Sequence, residues 1–271
     1  MSEKEKKVNF KEYLNLIIPI LFLLIILIGV LVYQRYQPVK IEDKVPGATS
    51  ELIQLAKMEL ENKFHDKKFQ IGFNSSEDEY NKFLENEYDI MFSYSISDNK
   101  DVESYLVASD AVGIIVHESN IVNDLSDDKL RAILNGEIKN WKDLGWEDIP
   151  IKIYLPNSII LSKFPGESVL EKKDSRMTLL SEEEIVLKIS TQKEGIGFVD
   201  YINARNSGVK FLGYNGMRPN DKNVGELQYP LIIKIFVYVK RGNLPDVIKY
   251  LTGEDFREQI RASGLITLPK E

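Results

Sequence analysis

Hydroxyl side chains stand at three points where the chain begins a helix or leaves a strand. Thr49 and Ser50 begin one predicted helix, Ser75 and Ser76 begin the next, and Ser93 follows a short apolar strand. The N-terminus of a helix is a natural place for a small anion, because its N–H groups point outwards. Serine and threonine are also the standard helix caps, so each position alone has a structural explanation. From the residues alone, each hydroxyl is therefore a candidate for capping or for binding a small anion.

No other group of residues indicates catalysis or metal binding. The chain has no cysteine, which excludes a disulfide, a thiol nucleophile and a lipoprotein anchor. His65 and His117 are far apart in sequence, which argues against a zinc site. Asp89 and Asp110 are isolated carboxylates near strand ends and are interpreted as structural, and Arg176 is interpreted as a solvated charge. We therefore predict no catalytic residue, no metal and no cofactor.

The charge of the chain excludes nucleic acid as a partner. Four lysines and three glutamates lie within residues 1–34, so 31 of the 35 basic and 39 of the 42 acidic residues belong to the remainder, which has a net charge of −8. A domain this acidic repels a phosphate backbone. It can bind an anion only at a local site built from N–H groups and helix ends.

Residues 14–33 form an uncharged apolar run of the length that spans a bilayer. The run ends without the small-residue cleavage site of a signal peptide, which predicts an uncleaved signal anchor. Four lysines precede it and three basic residues follow it, and this small excess on the N-terminal side predicts that residues 1–13 form a cytoplasmic tail. We therefore expect a single-pass protein of the cell membrane, whose main domain, residues 39–271, is extracytoplasmic.

Strands and helices alternate through the first part of this domain. A helix with Leu52, Ala56 and Leu60 on one face precedes a predicted strand at Phe69–Phe73, and a second helix separates that strand from another at Tyr88–Phe92. This alternation is typical of an α/β fold.

The most distinctive stretch runs from Ala111 to Gly145. It begins with a predicted strand, Ala111–His117, and continues with a helix that Ser126 caps and Gly136 ends. The stretch closes with the sequence Gly-Glu-Ile-Lys-Asn-Trp-Lys-Asp-Leu-Gly at residues 136–145. An ordinary amphipathic helix explains the apolar spacing but not this tail. The whole stretch resembles the phosphate-binding protein of bacterial phosphate ABC transporters.

Further matches to that family extend the resemblance over about residues 40–271. They include the turn at Gly47–Ser50, the segment Asn86–Ser93 and the sequence Glu-Gly-Ile-Gly-Phe-Val at residues 194–199. The resemblance implies an α/β periplasmic-binding-protein-like fold of type 2, with a ligand cleft between two lobes. Lobe one would comprise about residues 39–112 and 200–271, and lobe two about residues 113–199. Two strands, Ala111–His117 and Gly195–Val199, would cross between the lobes.

The resemblance also implies a function and a set of ligand-binding residues. Members of the family bind phosphate without catalysis, so the expected ligand is phosphate or another small oxyanion, and the expected partner is an ABC permease or an envelope protein. The residues that match the family's ligand loops are Ala48, Thr49, Ser50, Ser75, Ser76, Ser93 and Ser158.

The second-lobe half of the family's site is altered in this chain. The family's buried arginine falls near Leu155, and its Ser-Gly-Thr turn falls at residues 158–161, which read Ser-Ile-Ile-Leu. Lys163 offers only a point charge in place of a guanidinium. The loss of an arginine and of two or more hydrogen bonds costs on the order of 3–6 kcal/mol, or roughly two to four decades in dissociation constant. We therefore expect weak phosphate binding or none.

Two other functions are compatible with the sequence. The first is a sensing or protein-interaction module of the cell envelope that has kept the fold and lost the ligand. The second is an extracytoplasmic enzyme, for which no constellation of residues is present. A shared fold does not decide between a transport role and a sensing role.

Overall fold

The computed structural model describes residues 47–157 and 174–269. The helices are α1 (Gly47–Lys63), α2 (Glu77–Leu84), α3 (Asp127–Leu134), α4 (Glu182–Thr191), α5 (Tyr201–Ala204), α6 (Asp221–Gly225), α7 (Pro245–Leu251) and α8 (Glu254–Ala262), with one 3₁₀ turn at Trp141–Leu144. The strands are β1 (Ile71–Phe73), β2 (Ile90–Ser93), β3 (Val102–Val116), β4 (Asp124–Leu125), β5 (Lys152–Pro156), β6 (Met177–Leu180), β7 (Gly195–Asp200), β8 (Lys210–Phe211), β9 (Gly213–Tyr214) and β10 (Ile232–Lys240).

One long strand, β3, joins two halves of the main sheet. Residues Val102–Ala111 of β3 pair antiparallel with β10, which also pairs with β2, and β2 pairs parallel with β1. Residues Val112–Val116 instead pair antiparallel with β7, beside which lie the parallel strands β5 and β6. This exchange of partners divides the fold into two α/β lobes.

The crossing strand is longer than the sequence predicts. We expected a strand over Ala111–His117, whereas β3 begins nine residues earlier and ends at Val116. Its first residues, Val102–Leu106, include polar and half-exposed side chains, and these hide the strand from a search for apolar runs. The other predicted crossing, Gly195–Val199, coincides with β7 to within one residue. After β7, helix α5 packs against α1 of lobe one.

Helix α3 follows the sequence prediction closely. The Ser126 side chain accepts a hydrogen bond from the Lys129 N–H and caps the helix, and Gly136 adopts a positive φ of 77° just beyond its end. Trp141 is fully buried, and its indole Nε1 donates to the Glu194 carbonyl at 2.9 Å. Trp141 of the distinctive tail therefore fastens the segment after α3 to the residue before β7.

Arg176 corrects one sequence interpretation, because it is not a solvated charge. Its side chain is only 15% exposed and forms a two-pronged ion pair with Asp174. It also donates to the carbonyls of Ile133 and Ile138, at 2.8 and 3.2 Å. Hydrogen bonding from Arg176 lowers the pKa of Asp174. The guanidinium thus binds one carbonyl in the last turn of α3 and one just beyond the helix, where a helix favours a positive charge.

Several sequence predictions concern residues outside the described ranges. These are the cytoplasmic tail, the membrane-spanning run at 14–33, and the segment that contains Ser158, the Ile-Ile-Leu sequence and Lys163. Within residues 47–157 and 174–269, no helix has the length and apolar character needed to cross a membrane.

Candidate ligand site at the junction of the lobes

The N-terminus of α1 brings one predicted ligand residue into the interior. Thr49 is 2% exposed, and its Oγ1 lies 2.8 Å from the hydroxyl oxygen of Tyr94, which is itself buried. The Tyr94 ring packs edge-on against Phe73, with 5.0 Å between the ring centroids. The Thr49 hydroxyl therefore already forms a hydrogen bond within the protein. Its neighbour Ala48 is buried as well, whereas Ser50 is half-buried.

Ser93 is also engaged by a tyrosine. It is 1% exposed, and its Oγ lies 2.9 Å from the hydroxyl of Tyr238 on β10, which also hydrogen-bonds to the Ser95 carbonyl. The Ser95 N–H and the Asn74 side-chain amide complete the surroundings of Ser93 Oγ, at 3.2 and 3.4 Å. The contact with Asn74 brings the loop before α2 next to the end of β2.

The hydroxyls before α2 have different environments. Ser76 is the N-cap of α2, and its Oγ accepts a hydrogen bond from the Glu79 N–H at 3.3 Å. Ser75 is half-buried and donates its backbone N–H to the Phe73 carbonyl. The carboxylate of Glu79 bonds to Lys82 and Tyr88, and these hydrogen bonds lower the pKa of Glu79. Capping therefore accounts for the geometry of Ser76.

The structure thus places three of the predicted loops close together in lobe one. Asn74 links the loop before α2 to Ser93, and Tyr94, the next residue, reaches Thr49. Leu155, near which the family's arginine falls, is a buried core residue of β5. Ser158 lies outside the described residues.

Three carboxyl groups meet at the junction of the lobes, and the sequence analysis did not bring them together. Asp110 lies on β3 just before the strand changes partners, Asp200 ends β7, and Glu182 begins α4. We call Asp110, Asp200 and Glu182 the junction carboxyls. The sequence shows only that each of two apolar strands contains an aspartate. It does not show that the fold brings these two aspartates close together.

The pKa values of all three junction carboxyls are raised above their usual range. Burial is the main cause for all three, and the charge of Glu182 contributes to the pKa values of both aspartates. For Asp110 the pKa is raised to about 8, although hydrogen bonds from the N–H groups of Ala111 and Ile202 oppose the shift.

The N-terminus of α1 is close to this group. Burial and then the charges of Asp200, Asp110 and Glu182 raise the pKa of Tyr94, so its phenol is neutral at physiological pH. A Cβ added to Gly47 would lie 3.0 Å from the side-chain nitrogen of Asn203, which donates to Glu182. Anything bound at this end of α1 is therefore held near acidic groups.

Two α/β lobes joined by crossing strands, with helix N-termini and hydroxyls gathered at their junction, define a class of two-lobed ligand-binding domain. A family model described as a PBP superfamily domain matches residues 44–255. The chain belongs to this superfamily.

Named relatives in this superfamily are phosphate-binding proteins. The chain is 30% identical over 194 residues to the phosphate-binding protein PstS of Staphylococcus haemolyticus, an alignment that covers 64% of this chain and 61% of that protein. It is 28% identical over 187 residues to PstS of Staphylococcus aureus strain USA300, covering 62% and 57%. The matched region is thus less than two thirds of the length of either relative. The resemblance to phosphate-binding proteins that the sequence predicts is confirmed.

Solved structures support the same fold. An ABC-type phosphate transport receptor from Vibrio cholerae superposes with a TM-score of 0.70 at 18% identity, covering 82% of this chain and 97% of that one. A phosphate ABC transporter substrate-binding protein from Clostridium perfringens, solved with bound phosphate and described as putative, gives a TM-score of 0.62 at 20% identity, covering 83% and 97%. At these identities the likeness establishes the two-lobed α/β architecture.

Proposed function

We propose that this chain is the extracytoplasmic solute-binding component of a phosphate-type ABC transporter, and that it holds its anion between the lobes with low affinity. The names of the relatives support the ligand class and the permease as partner. The observation that carries the low affinity is the bond between Thr49 and Tyr94 beside the junction carboxyls. The role is to bind and deliver a ligand, without chemistry.

A phosphate dianion that enters a closed site loses the hydrogen bonds that its water shell provided. Charge-assisted donors on each oxygen provide this compensation in a closed site. Here the Thr49 hydroxyl already bonds to Tyr94. Ser93 Oγ already accepts hydrogen bonds from Tyr238, the Ser95 N–H and the Asn74 amide, which leave less room for a ligand oxygen. The junction carboxyls add negative charge when ionised, which opposes the favourable field at the start of α1. The first effect weakens phosphate binding throughout, and the second adds to it as the carboxyls ionise, in addition to the altered sequence at residues 158–161.

Membrane anchoring by residues 14–33 is a second part of the proposal. It rests on the uncharged run and its basic N-terminal flank. Intact mass spectrometry of the protein from its native membranes is expected to find residues 1–33 still attached. A mature chain that begins after residue 30 contradicts the anchor and leaves the ligand proposal untouched.

Thermal unfolding with phosphate and with sulfate tests the ligand class. Both salts stabilise proteins non-specifically, so sulfate at equal ionic strength is the matched control. A ligand present at ten times its dissociation constant adds about 1.4 kcal/mol of stability, which raises the Tm of a domain of this size by roughly 3–6 °C. We expect tens of millimolar phosphate to give such a shift beyond that of sulfate. Equal shifts with the two salts contradict a phosphate site.

A further inference from the structure

The junction carboxyls share an unusual feature, since each has one enclosed oxygen without a hydrogen-bond partner. These atoms are Oδ2 of Asp110, Oδ1 of Asp200 and Oε1 of Glu182. The two aspartates are 2% and 1% exposed. Glu182 is part-exposed as a residue, but its Oε1 is enclosed. Three separate side chains, from β3, β7 and α4, thus leave oxygen atoms unsatisfied.

The other oxygen atoms tie this group to both crossing strands. Asp110 Oδ1 accepts from the N–H groups of Ala111 and Ile202, at 2.7 and 3.3 Å. Glu182 Oε2 accepts from the Asp200 N–H at 3.2 Å and from the Asn203 amide at 3.0 Å. A change in the charge of these carboxyls therefore acts where the chain passes between the lobes.

Within the described part of the chain, no basic side chain forms an ion pair with any of the three. The positive charge of Arg205 opposes the rise in the pKa of Asp110. Its guanidinium bonds to Asp221 at 2.9 Å and to the Gly264 carbonyl. The titratable and charged groups around the junction carboxyls are Tyr94 after β2, Glu183 on α4, Tyr201 and Arg205 on α5 with its end, and Asp221 on α6.

Buried carboxylates without a cation cannot all remain ionised. Desolvation and mutual repulsion both favour the protonated form, and a protonated carboxyl also gains a donor. Because the three carboxyls interact, they titrate as a coupled set, and each pKa value describes the set rather than one residue.

We propose that Asp110, Asp200 and Glu182 form a proton-binding site at the lobe junction, and that the cleft accepts an anion only while this site holds its protons. The link between these protons and anion binding rests on the proposed function. In this scheme the protein is a proton-linked binder: loss of the protons places negative charge beside the start of α1 and lowers both stability and anion affinity.

The direction of the pH effect follows from the raised pKa values. A buried carboxyl with a raised pKa binds more protons in the folded than in the unfolded chain, so stability falls as pH rises. The contribution is fully present below the unfolded pKa of about 4. It is lost as pH rises through the folded pKa, which for Asp110 is about 8. The physiological range lies inside this window.

Urea unfolding of the full-length chain at pH 5.5 and pH 8.5 provides the first test. The wild-type midpoint is expected to be lower at pH 8.5. Asp200→Asn keeps the shape of the side chain but cannot ionise, so we expect the difference between the two midpoints to fall to about half or less. Glu61→Gln, which makes the same change of charge at an exposed position in the last turn of α1, should retain the wild-type difference. Equal differences in all three proteins overturn the proposal.

Infrared spectroscopy of the wild-type protein gives a second test that needs no variant. A protonated-carboxyl band at pH 7 that weakens as pH rises past 8 is expected, and its absence at pH 7 overturns the proposal. Phosphate binding is then compared at pH 5.5 and 8.5. A chain that titrates in this way but never binds phosphate retains the proton site and contradicts the proposed ligand. A chain that binds phosphate without the titration contradicts the proton site alone.

Discussion

Tyr238→Phe is expected to lower the free energy of unfolding by about 1–3 kcal/mol, the usual cost of leaving buried polar groups unsatisfied. The variant removes a single oxygen from a ring that is 1% exposed, so it leaves little cavity. That oxygen bonds to both Ser93 Oγ and the Ser95 carbonyl, at the point where β2 ends. Urea unfolding monitored by circular dichroism measures the change.

A matched control lies on the neighbouring strand. Tyr105 pairs in register with Val237, is half-exposed, and bonds through its hydroxyl to Glu103 at 3.1 Å. Water can replace that bond, so Tyr105→Phe should change stability by less than about 0.5 kcal/mol. If the two variants have equal effects, the Ser93 hydroxyl is not held by a structurally important bond, and one reason for weak anion binding disappears.

Local signals in the sequence were sufficient for the elements whose ends are fixed by neighbouring residues. Ser126 and Gly136 mark α3 because a cap and a positive φ are properties of a few consecutive residues. The length of β3 was not predictable in the same way. Its first five residues are stabilised by pairing with β10, which lies more than a hundred residues later in the chain.

The candidate site was harder to predict because its decisive contacts are all long-range. Thr49 and Tyr94 are 45 residues apart, and Ser93 and Tyr238 are 145 residues apart. Sequence alone identified the hydroxyls but not the tyrosines that bond to them. Arg176 shows the same difficulty, since its carbonyl partners lie 38 and 43 residues earlier. The fold brings this charged loop residue next to two carbonyl groups that are distant in sequence, and its guanidinium binds both of them.

The largest expected effect concerns phosphate itself. A site in this superfamily with a guanidinium and free hydroxyls can provide several charge-assisted bonds, each stronger than a neutral one. Here Thr49 and Ser93 bond within the protein, and Leu155 is buried in the core. The predicted deficit, on the order of 3–6 kcal/mol, separates a dissociation constant of about 1 μM from one of about 0.1–10 mM.

Tyr94→Phe provides an internal check of this explanation. The variant removes the partner of Thr49 Oγ1 and leaves its hydroxyl free for a ligand. One additional hydrogen bond contributes about 0.5–1.5 kcal/mol, which strengthens phosphate binding by up to about tenfold. Thr49→Val in the same background should remove the gain, because valine keeps the shape but has no hydroxyl.

Calorimetric titration of phosphate into the purified full-length chain at pH 7 tests the central claim most directly. The predicted result is a dissociation constant of about 0.1 mM or weaker for the wild type, with tighter binding by the Tyr94→Phe variant. A wild-type dissociation constant of about 1 μM or below would contradict the account, because the internal bonds of Thr49 and Ser93 would then not weaken the site.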